Sequence, residues 1–301
     1  MAITFYYPNT PPLPLPPGHR FPAGKYALLK AALLKDEVIA QDMLRPSTPA
    51  STAELARAHD PAYVAAVANG TVSDTVQRRI GLPWSQVLAD RSRATVGGSL
   101  IAARSALKEG ISGQLAGGTH HAHYAEGSGY CTFNDLAVTA LSVLDEGLCR
   151  RIAILDTDVH QGDGNAALLA QNPAVFVCSL HGAKNFPFRK VPSDLDFDLP
   201  DGTEDRDYLR ILADALAAID AFRPELLLFL SGADCLADDK LGRLSLSLSG
   251  MTDRDLMVFE FAARRALPLS IAIGGGYADP IALSVAAYAN TLRAAKSVYR
   301  F

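Results

Sequence analysis

"ILDTDVHQGDG", residues 154–164, sets three aspartates and a histidine within eleven positions, directly after an apolar run. The preceding run, "RIAILD" (151–156), reads as a buried strand, and the following "GNAALLAQ" has helical spacing. A strand, a polar loop and a helix in that order make the repeating step of a parallel α/β sheet. Ligand sites in such sheets lie beyond the carboxyl ends of the strands. Burying charge is costly unless it is paired or bound to a cation, so these acids predict a site.

The same step recurs outward along the chain. "AVFVCSL" (174–180), "ELLLFLSG" (225–232) and "LSIAIGGG" (269–276) are strand-like, as is "ITFYY" near the start. "DRDYLRILADALAAIDAF" and "TDRDLMVFEFAARRAL" have helical period, with Asp205 and Thr252 as expected N-caps. The first third reads as helical in "AGKYALLKAALLKD", "TAELARAHDPAYVAAVA" and "SRATVGGSLIAARSALKEG". Strands alternating with helices predict an α/β fold: a single domain over 1–301, its central, mostly parallel sheet covered by helices on both faces. "PNTPPLPLPP" reads as an extended surface segment rather than a ligand for a Pro-binding module.

An apolar fraction of 49% against 20% charged residues is ample for a large core. The formal net charge of −4 argues against a nucleic-acid-binding surface. The four cysteines, Cys131, Cys149, Cys178 and Cys235, form no CxxC pair and are expected to be reduced core thiols. With no signal-like start and no run long enough to span a bilayer, a soluble cytoplasmic protein without membrane contact is expected.

The unusual polar residues cluster at the carboxyl ends of the strands. Asp158 and His160, two apart, point the same way from an extended strand end. A carboxylate and an imidazole suit a divalent metal, and Asp234 in "SGAD" is the candidate third ligand. A lone DxH is weak; its neighbours strengthen it. "GGTHHAHYAEGSGYCTFND" (117–135) supplies adjacent histidines, His120 and His121, which need acids to fix their tautomers; Asp156 and Asp163 are unassigned. His19, His59, His123 and His181 show no such partner in sequence and are expected to be structural. In "GGGY" (274–277) three glycines let the backbone turn near a ligand, and Tyr277 could donate to an oxyanion. GGGY lacks the spacing of a phosphate loop.

Taken together, GGTHHA, GYCTFND, DTDVHQGDG, SLHG, SGAD and GGGY resemble, in order, the motifs of the zinc-dependent histone deacetylase superfamily, with its arginase/deacetylase fold. The resemblance runs from "HRFPAGKYALL" to the C-terminal helix and is nearest to the class IV and bacterial branch. It implies one zinc ion at Asp158, His160 and Asp234, tandem histidines His120 and His121 paired with Asp156 and Asp163, and Tyr277 as the carbonyl-polarising tyrosine. It further implies that Gly129 receives the substrate amide N–H and that Tyr130 walls an acyl-lysine tunnel opposite Phe188 or Phe186. A structural potassium ion is implied at Asp156, Asp158, His160, Ser179 and Leu180. Gln161 stands where many relatives carry a second histidine, and the rim acid of the larger eukaryotic enzymes has no match.

The implied activity is removal of acetyl or other short acyl groups from acyl-lysine or related amines. His121 would move the protons and His120 would act electrostatically. Alternatives are an acetylpolyamine amidohydrolase, a long-chain lysine deacylase, or a non-catalytic acyl-lysine reader. A binuclear-manganese ureohydrolase would need DAHxD and SxDxD runs, which are absent.

Overall fold

Along the central strands, apolar side chains alternate between two separate cores. In "IAILD", Ile152 and Ile154 point to one face while Ala153 and Leu155 point to the other. In "LLLFLS", Leu226, Leu228 and Leu230 share the first face, and Leu227 and Phe229 the second. A continuous apolar run is thus a period-2 strand buried on both sides.

The computed structural model describes residues 3–301. Its strands are β1 (Phe5–Tyr7), β2 (Leu44–Pro46), β3 (Ile111–Gln114), β4 (Ile152–Asp156), β5 (Val175–Gly182), β6 (Leu195–Leu199), β7 (Leu226–Ser231) and β8 (Leu269–Ile273). They form one eight-stranded sheet in the order β2-β1-β3-β8-β7-β4-β5-β6. Every pairing is parallel. The helices are α1 (Lys25–Lys35), α2 (Thr52–Leu55), α3 (Pro61–Asn69), α4 (Asp74–Ile80), α5 (Gln86–Glu109), α6 (Asp135–Asp145), α7 (Asp163–Leu169), α8 (Asp205–Phe222), α9 (Leu248–Arg264) and α10 (Ala282–Tyr299). Residues of α1, α8, α9 and α10 pack on one face, and residues of α2, α3, α5, α6 and α7 on the other. This is the α/β architecture expected from the sequence.

Several local expectations change. The helical stretch 52–68 is two helices, because Pro61 starts α3 and Asp60 caps it by accepting the Ala62 N–H at 2.8 Å. Asp205 does not cap α8; it accepts the backbone N–H and the hydroxyl of Ser247 at 2.8 and 2.6 Å. Ser247, not Thr252, caps α9, and Thr252 lies inside that helix. All four cysteines are buried and without disulfides. Within the Pro-rich segment, Leu13 is buried against Ile80, Leu82 and Leu88. No described helix is long and apolar enough to cross a membrane.

From β3 the chain passes to β4, winds outward through β5 and β6, and returns to fill the gap with β7 and β8. The carboxyl ends of β3, β8, β7 and β4 therefore stand side by side.

Candidate active site

The loop after β4 and the loop after β7 meet at three side chains. His160 Nδ1 lies 3.0 Å from Asp158 Oδ1 and 3.1 Å from Asp234 Oδ2. One ligand-type atom from each residue falls within 4.8 Å of the others. Asp158 and Asp234 are buried. Asp158 Oδ2 accepts the Gly275 N–H at 2.5 Å, and Asp234 Oδ1 accepts the Val159 N–H at 2.9 Å. Gly275 has to be glycine: a Cβ there would stand 1.8 Å from Asp234 Oδ2 and 2.8 Å from Asp158 Oδ2. The GGGY backbone thus closes over both carboxylates.

Two buried carboxylates this close repel. Burial and then the Asp158 charge push Asp234 up to about 7. Burial alone would lower His160, but its bonds to Asp158 and Asp234 lift it to about 10. The cluster therefore draws positive charge into itself. Two carboxylates and an imidazole, held apart by backbone N–H groups, are a donor set that fits a divalent cation.

Across the cavity stand two histidine–aspartate pairs. His120 Nδ1 lies 2.7 Å from Asp156 Oδ2, and His121 Nδ1 lies 2.6 Å from Asp163 Oδ1. The two rings are 4.1 Å apart, and His121 is 5.9 Å from His160. Burial disfavours charge on both rings, yet they diverge. The Asp156 and Asp158 charges overcome burial and raise His120 to about 9. Burial and the neighbouring His120 cation lower His121 to about 4. The carboxylates thus favour charge on His120, while its neighbour is pushed toward the neutral form.

Tyr277 and Tyr130 face one another with ring centroids 6.0 Å apart. Burial, then the charges of Asp158 and Asp234, push the Tyr277 phenol well above its ordinary value, so it keeps its proton. Gly129, at φ +52°, leaves no room for a side chain, because a Cβ would lie 2.6 Å from His121 Cδ2. Phe186 packs edge-on to His121 at 4.9 Å, whereas Phe188 is 90% exposed at the mouth. Of the two candidate tunnel phenylalanines, Phe186 thus occupies the inner wall. Ser179 sits beside Asp156 in the β4–β5 register, with Leu180 next in the strand.

All these groups except Asp156, Asp234, Ser179, Leu180 and the Val159 N–H line one cavity of about 800 Å3 that also takes in Phe186 and Phe188. Its lining also includes Leu13, Phe21, Tyr26, Leu88 and Arg91.

Several supporting residues escaped the sequence reading. His123 is not unpartnered: its Nε2 lies 3.0 Å from Asp163 Oδ2, so one carboxylate holds two rings. His181 Nε2 likewise lies 2.9 Å from Asp198 Oδ1. Asp135 accepts the Gly118 and Thr119 N–H groups at 3.1 and 2.8 Å, fixing the entry to the tandem histidines. Buried Lys25 donates to the carbonyls of Gly274 and Gly276, and Asp239 accepts the Tyr277 N–H at 2.5 Å. Arg254, fully buried, donates to the Gly232 carbonyl at 2.7 Å and steadies the loop carrying Asp234. Gln161, in place of a second histidine, bonds both the N–H and the C=O of Val191 and reaches Asp196. His123, Asp135, Gln161, His181, Lys25 and Arg254 all lie in stretches that the sequence singles out, yet without these partners; Asp239 lies in none of them.

His59 gives a stability prediction. Its Nε2 accepts the Asn134 N–H at 2.8 Å, which leaves Nδ1–H to donate to the His123 carbonyl at 2.9 Å. Burial lowers it to about 4. The unfolded chain takes up this proton near pH 6.5 while the folded chain refuses it, so stability is full above about 6.5 and lost as pH falls toward 4. Urea unfolding should show about 2 kcal/mol lost between pH 7 and pH 5 through this ring. His59→Gln should lose that much less over the same interval; an unchanged difference would overturn the assignment.

A family described as "Histone deacetylase domain" matches residues 19–292. The chain belongs to the histone deacetylase family. It is 41% identical to an uncharacterized protein of Picosynechococcus sp., over 95% of this chain and 96% of that one. It is 30% identical to histone deacetylase 2 of Arabidopsis thaliana, over 86% of this chain and 70% of that one. The fold matches that of a histone deacetylase homolog from Aquifex aeolicus with a TM-score of 0.80, at 21% identity, covering all of this chain and 89% of that one. The fold match shows architecture alone; the family match makes this chain a hydrolase of amide bonds.

Proposed function

We propose that this histone deacetylase family member hydrolyses the side-chain amide of acyl-lysine, acetyl-lysine included, with one zinc ion held by Asp158, His160 and Asp234. The observation that carries the reading is a metal-ligand triad and two histidine–aspartate pairs gathered at one place, with Asp158, His160, His120, His121, Asp163 and Tyr277 lining one cavity. When bound, zinc supplies Lewis acidity, drawing electron density from the acyl carbonyl and easing proton loss from the attacking water.

The protein's own groups do the rest. His121, with Nδ1 committed to Asp163, offers Nε2 to take the proton of the attacking water. It returns that proton to the departing lysine amine. His120, held as a cation by Asp156, stabilises negative charge as it develops. Tyr277 keeps its proton and donates it in a hydrogen bond to the oxyanion. Gly129, Tyr130 and Phe186 bracket the lysyl stem, with Phe188 at the entrance. A potassium ion at Asp156, Asp158, His160, Ser179 and Leu180 is part of the same proposal; the β4–β5 register that brings Asp156 beside Ser179 supports it.

No run of small residues in the sequence obliges a deep acyl pocket, which leaves short acyl groups as the first reading, but the apolar part of the cavity lining supports a second. Leu13, Phe21 and Leu88 give the same cavity an apolar wall. Each methylene buried there is worth about 0.8 kcal/mol. One peptide carrying acetyl, butyryl, octanoyl or myristoyl lysine tests both. Turnover on acetyl and butyryl supports the deacylase reading. A kcat/KM that collapses at octanoyl supports the short-acyl form, and a rising series supports the long-acyl form. No turnover on any member, with metal bound, would overturn the proposal in favour of an acyl-lysine reader.

A further inference from the structure

The mouth of the cavity is ringed by cations from three separate segments. Arg79 comes from the end of α4, Lys184 and Arg189 from the loop after β5, and Arg243 from the loop after β7. All four are exposed. The acids lining the cavity are Glu126, Asp158 and Asp163, and the last two lie deep, against histidines. Glu126 is paired with Arg79, and the nearby Asp201 is shared by Lys184 at 3.6 Å and Arg243 at 3.2 Å. Arg189 makes no ion pair among the described residues. Four cations thus face two carboxylates at the entrance of a chain whose formal net charge is −4.

That local reversal of sign bears on what enters. A cationic rim around a low-dielectric cavity concentrates anions and repels cations, acting on encounter more than on chemistry. A polyamine or a lysine-rich tail would bring positive charge against Arg189 and Lys184. Resting on the deacylase reading above, we propose that the preferred substrate is an acyl-lysine flanked by aspartate and glutamate. The acidic flanks pair with the rim while the neutral acyl-lysine stem passes between Tyr130 and Phe186.

The test uses three acetyl-lysine peptides that differ only in their flanking residues, which are acidic, neutral or basic, together with an N-acetylated diamine. At an ionic strength of about 20 mM, kcat/KM for the acidic peptide should exceed the neutral one by about tenfold, and the basic peptide should fall below both. Near 0.3 M salt the advantage should shrink to about threefold or less, as expected for exposed charges. In the double variant Lys184→Glu, Arg189→Glu, the ratio of acidic to basic peptide should drop below one. Equal values across the three peptides, a ratio that ignores the double variant, or a preference for the diamine would overturn the rim proposal while leaving deacylation standing. No turnover on any of them would overturn the deacylase reading and this proposal with it.

Discussion

Asp234→Ala should purify with far less than one divalent metal per chain and lose more than about 100-fold in kcat/KM. Asp234 contributes one of three ligand-type atoms, and it is the one that arrives from a different strand end. Its removal leaves Asp158 and His160 on a single loop, with nothing across from them. It also strips the Val159 N–H of its acceptor, so a loss of fold has to be separated from a loss of metal. Asp234→Asn does this, because the amide oxygen can still accept from Val159 while the ligand charge is gone. The Asn variant should keep its melting temperature and still show depleted metal. Full metal content and full turnover in either variant would remove Asp234 from the ligand set.

The tandem histidines should prove unequal. His121→Ala should lower kcat by about 1000-fold, within the range for a lost general acid–base group. His120→Ala should leave measurable turnover, about 10- to 100-fold down, because it loses a stabilising charge rather than a proton carrier. The distinction follows from their surroundings. Asp156 and Asp158 both favour charge on His120, whereas His121 has one carboxylate, burial and a neighbouring cation against it. A ring neutral above about pH 4 can accept a proton at neutral pH. Single-turnover rates for both variants decide the matter; equal losses or the reverse order would exchange the two roles.

The central strands and the motifs at their ends were legible because both follow from local chemistry. β4, β5, β7 and β8 are continuous apolar runs, and each ends in residues that a buried strand would not carry without a site. The two edges and the short inner strand β3 were not legible. β6 reads "LDFDL", where acids alternate with apolar residues, and it lies at one margin of the sheet. β2 is three residues ending in Pro46, which a margin tolerates because proline cannot donate to a neighbour. β3, "ISGQ", is only four residues and holds a glycine, so no period shows. Among supporting residues, His123 was missed because its acid, Asp163, was already assigned to His121. Lys25 and Arg254 were missed because their partners are backbone carbonyls, which no side-chain pattern advertises.

The central position of β8 has a consequence for how the molecule is made. β3 and β7 lie apart until β8 enters between them, and β8 begins at residue 269 of 301. During synthesis the amino-terminal strands wait with an open seam in the middle of the sheet, not at its margin. Contacts of such long sequence separation form slowly and close cooperatively. The gap closes only once β8 has emerged, and the same closure brings the Gly275 N–H onto Asp158 and sets Tyr277 over the cavity. A chain cut short before β8 would therefore lose its centre rather than an edge. Asp158, His160 and Asp234 would all be present in it, but without the backbone donor that holds the first of them in place.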